Sequence, residues 1–278
     1  MDVASYLIRI AYTGPVLPNA ETLRVLHRAH LLTISYENLD LHCEPRRGLS
    51  LDVTQIYDKI VGQKRGGWCY EMNGLFAWVL REVGFDVTIL GSAVGRLGNP
   101  SALEDAHILL KVIASNQPNK AWIADVGFGN AFLEPLPLQP GIYRQDGFTY
   151  RLERDDSGHW WFTNHLLGGA GFDFSLKPFE LKEFAAPCNW LQTAPESGFV
   201  RVPVCHRHLP GGKIATLRAL TLTMVTGEQR DVQAIQSAQA YAQILTEVFG
   251  LDLADSELLW QRAKLVHEAW LLQNASVD

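Results

Sequence analysis

The sequence predicts an α+β chain in three successive parts: helices to about residue 85, strands over 86–188, and a mixed α/β part over 189–278. Three observations carry this reading. Apolar residues before residue 85 recur at three and four positions, the spacing of a helix face. After it they gather into short β-branched and aromatic runs broken by glycine, proline and Asp-Ser-Gly turns. Helical spacing then returns near the end of the chain.

In the first part, Asn19 is placed to cap a helix carrying Leu23, Leu26 and His30, and Asp52 one carrying Ile56, Ile60 and Val61. A third helix starts at Cys69. Met72, Phe76, Val79, Leu80 and Val83 recur along it, and Gly84 stops it. The middle part has strands at 87–90, at 106–113 and 121–125, near Tyr143, and at 149–152 and 160–164. Gly147, Asp155-Asp156-Ser157-Gly158 and Gly168-Gly169 punctuate it. Pro135-Leu136-Pro137-Leu138-Gln139-Pro140 reads as an extended surface crossing. The last part opens near Asn189 with strands at 198–204 and 219–225. It closes on two helices, one striped by Ile235, Ala238, Ala242, Leu245 and Phe249, the other by Leu258, Leu259, Val266 and Trp270.

Composition bounds the class of function. With 47% hydrophobic and 19% charged residues, the chain can bury a sizeable core. A net charge of −6 leaves no basic footprint for nucleic acid. The apolar run at 75–80 is too short to span a bilayer, and Met1-Asp2-Val3 lacks the basic start of a secretory signal. The expected setting is therefore cytoplasmic, with Cys43, Cys69, Cys188 and Cys205 as reduced thiols. Cys205-His206-Arg207-His208 packs its ligands too closely to close a tetrahedral zinc site, so no metal is expected. Asn274-Ala275-Ser276 matches a glycosylation pattern that a cytoplasmic chain would not use. Gly91-Ser92-Ala93-Val94-Gly95 is a weak candidate for a phosphate loop.

The chemistry gathers around one thiol. Gly66 and Gly67 permit a tight approach before Cys69, which then lies among the unpaired N–H groups and positive dipole end of its helix. That position favours thiolate over thiol. The two strands of residues 106–125 flank a turn, Ser115-Asn116-Gln117-Pro118-Asn119-Lys120. If the hairpin centres on Asn116, His107 and Asp125 face one another across the ladder, with Cβ atoms about 5 Å apart. Asp125 can then accept a hydrogen bond from the imidazole. Cys69, His107 and Asp125 have the makings of a nucleophile, a proton shuttle and an orienting carboxylate. His107 follows Cys69 by only 38 positions. That is far less than the roughly 130–150 of papain-type proteases, and favours a compact, transglutaminase-like arrangement.

Four segments, in order, resemble the arylamine N-acetyltransferases. They are Arg65-Gly66-Gly67-Trp68-Cys69-Tyr70-Glu71-Met72-Asn73, Tyr36-Glu37-Asn38-Leu39-Asp40, Asp125-Val126-Gly127-Phe128-Gly129, and Asn189-Trp190 with Pro195-Glu196-Ser197-Gly198-Phe199. The resemblance implies a helical bundle, a central antiparallel β-barrel-like domain and a C-terminal α/β lid, around a transglutaminase-like or cysteine-protease-like catalytic core. It implies Cys69, His107 and Asp125 as the triad. It also implies acetyl-CoA as acyl donor and small aromatic amines or hydrazines as acceptors, with acetyl passing through a Cys69 thioester. Phe128 is a candidate pocket aromatic, and Gly127 and Gly129 would let CoA pass close to the backbone. A thiol hydrolase or transglutaminase-like enzyme would use the same triad, and a binding protein that merely kept the fold is a third reading. Glu37 and Arg65, opposite charges in apolar motif segments, are expected to form a buried ion pair beneath the Cys69 turn.

Overall fold

The computed structural model describes residues 1–275 of the chain. Helix α1 (Val3–Arg9) is capped by Asp2, and α2 (Ala20–Thr33) by Asn19, whose side chain accepts from the Thr22 N–H at 2.8 Å. Leu23, Leu26 and His30 are buried on α2, as their spacing requires. A two-residue strand, β1 (Tyr36–Glu37), follows. Asp52 caps α3 (Val53–Tyr57), which widens into a π-helical turn over Asp58–Gly62 and buries Ile56 and Ile60. Helix α4 (Cys69–Val83) ends at Gly84, where φ is +100° and a Cβ would be strained. These helices and one face of the neighbouring sheet share a core that includes Tyr6, Leu26, Phe76, Leu80, Ile108 and Leu110.

The middle of the chain supplies β2 (Asp86–Val94), β3 (His107–Ile113), β4 (Ala121–Ala124), β5 (Leu136–Pro137), β6 (Gly141–Gln145), β7 (Phe148–Arg154), β8 (Trp160–Thr163) and β9 (Phe172–Phe179). They form one antiparallel sheet of eight strands in the order β5-β4-β3-β2-β9-β8-β7-β6. Its two edges meet. The Gln145 side chain accepts from the Glu134 N–H at 2.9 Å and donates to the Glu134 carbonyl at 2.8 Å, and Tyr143 Oη donates to Gln139 O at 2.7 Å. The result is a nearly closed, barrel-like sheet. Aromatic side chains fill its interior, among them Phe132, Phe148, Tyr150, Phe162, Phe172 and Phe174.

Two expectations change here. Gly91-Ser92-Ala93-Val94 lies within β2 and continues its ladder to His107 and Ile108, so the segment is no phosphate loop. The β3–β4 register pairs Leu110 with Ala124 and Ile113 with Ala121, centring the hairpin on Gln117 rather than Asn116. His107 and Asp125 are thus diagonal neighbours rather than directly opposed. Moving the centre by one residue shifts the partner by two, which keeps Asp125 on the same face of the sheet.

The last part holds a short helix, α5 (Ala185–Thr193), then α6 (Gly198–Arg201), and the strands β10 (Val204–Leu209), β11 (Lys213–Arg218), β12 (Thr221–Thr226) and β13 (Gln229–Ala234). The strand expected over 198–204 is instead α6, with Ser197 as its cap. Val202 turns extended ahead of Pro203, and the strand starts only at Val204. The expected strand over 219–225 is displaced to β12, because Ala219 sits in a turn at φ +47°. The second sheet runs β1-β10-β11-β12-β13, so its first strand comes from the helical part of the chain. Helix α7 (Ala238–Glu247), capped by Ser237, and α8 (Ser256–Ala275) cover it with Tyr241, Leu245, Leu259 and Ala263. Leu258 is exposed, so the stripe on α8 is turned from its expected phase; the side chain of Trp270, and the Asn274-Ala275-Ser276 triplet as a whole, lie outside what is described.

Candidate active site

Cys69 is the first residue of α4 and only 2% exposed. The preceding glycines pack where the sequence requires them to. A Cβ on Gly66 would lie 2.1 Å from the Ser35 carbonyl oxygen, and Gly67 bridges to Tyr36. Trp68 occupies the cap position, and its N–H is taken by Glu71 at 3.2 Å. The cysteine sulfur lies 3.9 Å from the Ala106 carbonyl oxygen and is approached by the N–H groups of Tyr70 and Ile108. These β3 contacts are to the backbone of the two residues that flank His107.

The His107 imidazole donates from Nε2 to Asp125 Oδ2 at 2.7 Å, with both side chains buried. The other Asp125 oxygen accepts from Asn73 Nδ2 at 2.8 Å and from the Gly127 N–H at 2.9 Å. Burial opposes the charge of this carboxylate. The His107 ring, Asn73 and the Gly127 N–H outweigh it, and Asp125 is held below the usual carboxylate range. The two residues that the hairpin spacing paired, His107 and Asp125, are thus in direct contact.

The thiol itself departs from expectation. Burial, followed by the nearby Asp125 charge, raises Cys69 well above the ordinary thiol range, and the Tyr70 and Ile108 N–H groups offset only part of this. A place at a helix tip does not make a thiolate when the tip is sealed from water. A thiol so buried reacts only if a base takes its proton.

Two residues of this site were not singled out from sequence. Asn73, one turn after Cys69, also donates to the Ile108 carbonyl at 2.6 Å and accepts from the Val126 N–H at 2.9 Å. The signal was an amide among apolar positions on the inner side of α4. His27, on the buried face of α2, accepts from the Asp125 N–H. Its signal was a histidine beside Leu23 and Leu26.

Beneath the Cys69 turn lies a buried charge cluster larger than the expected pair. Arg65 reaches Glu37 at 2.7 Å and Asp40 at 2.9 Å; Lys59 reaches Asp40 and Glu71, each at 2.9 Å. Glu37 also accepts from the Leu39 N–H at 2.7 Å. Burial disfavours the Lys59 charge, but Glu71, Glu37 and Asp40 outweigh it and raise its pKa above the usual lysine range. Burial raises Glu71, and the Lys59 ammonium pulls it only part of the way back.

Phe128 packs edge-on against His107 at 5.2 Å between centroids, and Phe172, not foreseen from sequence, lies 5.5 Å from the same ring. A cleft of about 320 Å³ lined by Arg96, Leu97, Trp161, Phe162, Phe172 and Asp173 adjoins the triad through Phe172. A larger cavity, about 500 Å³, lies apart from the triad between Asn19, Arg24, Trp122 and Glu134. A Cβ on Gly127 would fall 2.6 Å from Asn73 Nδ2 and 2.7 Å from Cys69 Cα; one on Gly129 would fall 2.9 Å from His206. Both glycines thus let the strand end pack tightly, the first onto the thiol's own helix. Among the described residues no cluster of His, Cys, Asp and Glu could hold a metal, and no helix is long and apolar enough to cross a membrane.

Comparison with known proteins places the chain in a family. A family model described as N-acetyltransferase matches residues 19–258. An arylamine N-acetyltransferase of Escherichia coli is 34% identical over 261 residues, covering 91% of this chain and 89% of its own. The pineal gland isozyme NAT-3 of Gallus gallus, also an arylamine N-acetyltransferase, is 34% identical over 255 residues, with 83% and 86% covered. Among solved structures, the arylamine N-acetyltransferase of Mycobacterium marinum in complex with CoA superposes with a TM-score of 0.87 at 28% identity, over 95% of this chain and 99% of that one. The enzyme of Salmonella typhimurium gives 0.84 at 30% identity, over 95% and 98%. By its helices, its barrel-like sheet and these matches, the chain belongs to the arylamine N-acetyltransferase family and is an acetyltransferase.

Proposed function

We propose that the enzyme transfers acetyl from acetyl-CoA to the nitrogen of arylamines or arylhydrazines in two stages, through an acetyl-thioester on Cys69. The observation that carries this reading is the buried 2.7 Å His107–Asp125 pair, with the Cys69 sulfur 3.9 Å from the carbonyl oxygen of the adjoining Ala106. In the first stage His107 takes the thiol proton and the sulfur attacks the acetyl carbon. The tetrahedral oxyanion is held by backbone N–H groups at the start of α4. The bond to the CoA sulfur then breaks, and that sulfur leaves with the proton from His107. In the second stage the neutral amine attacks the thioester carbon and His107 takes the amine proton; the Cys69–acyl bond then breaks and the sulfur receives that proton from His107, restoring the thiol. Asp125, kept ionised by His107 and Asn73, steadies the imidazolium in both stages.

Burial supports amine over water as acceptor. The thiol is sealed and Phe128 and Phe172 flank the His107 ring, a dry aromatic setting in which an aryl ring replaces water. It also disfavours the thiol hydrolase, which needs an open groove for a peptide. Any contact of CoA with Gly127 and Gly129 would be to their backbone, since protein fills the space where their side chains would stand. Intact mass spectrometry tests the mechanism. Acetyl-CoA alone should add one acetyl group, lost again on addition of an arylamine, and Cys69→Ser should gain none while keeping its fold. Normal turnover by Cys69→Ser would end the proposal.

A further inference from the structure

The β3–β4 ladder ends at the Leu110–Ala124 pair, so the Asp125 N–H lies beyond it. This N–H donates to His27 Nε2 at 3.0 Å, across 98 positions of chain. The other ring nitrogen, Nδ1, lies 2.9 Å from the Leu133 carbonyl oxygen. A carbonyl only accepts, so Nδ1 must carry the proton and Nε2 must offer its lone pair. One neutral tautomer satisfies both bonds; the other tautomer and the imidazolium each set two protons against one another. The ring is fully buried, stacked on Phe132 at 5.8 Å and 14° and meeting Phe76 edge-on. Asn73 treats the next residue in the same way, taking the Val126 N–H while donating to Asp125 Oδ1.

We propose that His27 is a positioning residue for acyl transfer: its neutral imidazole holds the Asp125 backbone so that the carboxylate meets His107. This rests on the triad reading above. A buried N–H deprived of its acceptor is costly, and the acceptor nearest along the chain is the Asp125 carboxylate itself. Without His27 the carboxylate turns partly toward its own backbone. His107 is then a weaker base for the Cys69 proton.

The bond can be read directly in the ¹⁵N-labelled enzyme as a scalar coupling between the Asp125 amide nitrogen and His27 Nε2, with the proton on Nδ1. Two variants read its consequence. His27→Phe keeps the stack and removes the acceptor, while His27→Gln restores an acceptor oxygen. The pH profile of Cys69 alkylation by iodoacetamide should shift in His27→Phe toward that of Asp125→Asn. Its kcat should fall about tenfold with little change in KM for acetyl-CoA, and His27→Gln should recover much of the loss. A folded His27→Phe with an unaltered profile and kcat, while Asp125→Asn moves both, overturns the role of His27 and leaves the triad standing. If Asp125→Asn moves neither, the triad reading fails and this inference falls with it. Should His27→Phe not fold, the coupling decides: its absence, or a proton on Nε2, overturns the proposal.

Discussion

Replacing Lys59 with methionine should destabilise the enzyme more than removing any one carboxylate of the cluster below Cys69. The buried cluster holds three carboxylates, Glu37, Asp40 and Glu71, against Arg65 and Lys59, a formal balance of −1; at its edge the exposed Arg47 lies 3.7 Å from Asp40 and is itself paired with Asp255. Lys59→Met keeps the apolar stem but leaves three buried carboxylates facing one buried guanidinium, a balance of −2 among the buried groups, with the exposed Arg47 reaching only Asp40. Arg65 reaches Glu37 and Asp40, so Glu71 is the group stranded. Breaking one side of a buried pair costs about 3–5 kcal/mol. With the Lys59 ammonium gone, the main offset to the burial that already raises Glu71 is lost, and its pKa rises further. A carboxylate with a raised folded pKa destabilises at high pH and ceases to do so once protonated. The deficit of Lys59→Met against wild type should therefore be largest near pH 8 and shrink toward about pH 5.5. Glu37→Gln, in contrast, makes the cluster neutral, leaves Arg65 on Asp40 and keeps an acceptor for the Leu39 N–H; it should cost about 1–2 kcal/mol. Urea unfolding of both variants at the two pH values is the assay. The charge accounting is refuted if Lys59→Met costs under about 1 kcal/mol near pH 8, or less than Glu37→Gln.

Three further outcomes are expected. Burial lowers His27 and His42 to about 4 and His208 to about 3. These rings stay neutral in the fold while the unfolded chain protonates near 6.5, so their contribution is complete above that pH and is lost as pH falls toward 4. That amounts to about 2 kcal/mol each by pH 5, and a urea midpoint that stays flat between about pH 7 and pH 5 would contradict it. Gly127→Ala forces a methyl into the backbone of Cys69 and the amide of Asn73; it should cost about 1–3 kcal/mol and cut kcat/KM about a hundredfold, and near-normal turnover would show that the close approach is not needed. Burial pushes Cys43 to about 11 and Cys188 to about 12. Limiting iodoacetamide should mark Cys69 ahead of Cys43, Cys188 and Cys205, because His107 can take its proton as it reacts; equal labelling by peptide mapping would deny the relay.

Much of the site was legible in the sequence because its parts are local. A glycine pair, a helix start and one hairpin fix Cys69, His107 and Asp125, and the two-residue alternation of strands forgave the error in the hairpin centre. What could not be read were contacts made at long range. His27 meets Asp125 through tertiary packing alone; its place beside Leu23 and Leu26 marks it as buried but does not say what it meets. The second sheet was half hidden because every residue of β13 is exposed, leaving no alternation to detect. Sequence position also overstated the activation of Cys69, since the helix end can be read from spacing but the exclusion of water from it cannot. The division into parts ending near residues 85 and 188 remains our proposal for how the chain is organised. Tyr36 and Glu37 nevertheless pair across it with His206 and Cys205.

That small strand ties the chemistry to distant chain. Tyr36 leans on β10 on one side and bridges to Gly67 on the other, two residues before the sulfur. A polypeptide released early, say after residue 200, would already carry the thiol, the ring and the carboxylate, yet the scaffold steadying the thiol's turn would still be unmade. The turn that leads into α4 is thus completed only once β10 has been made.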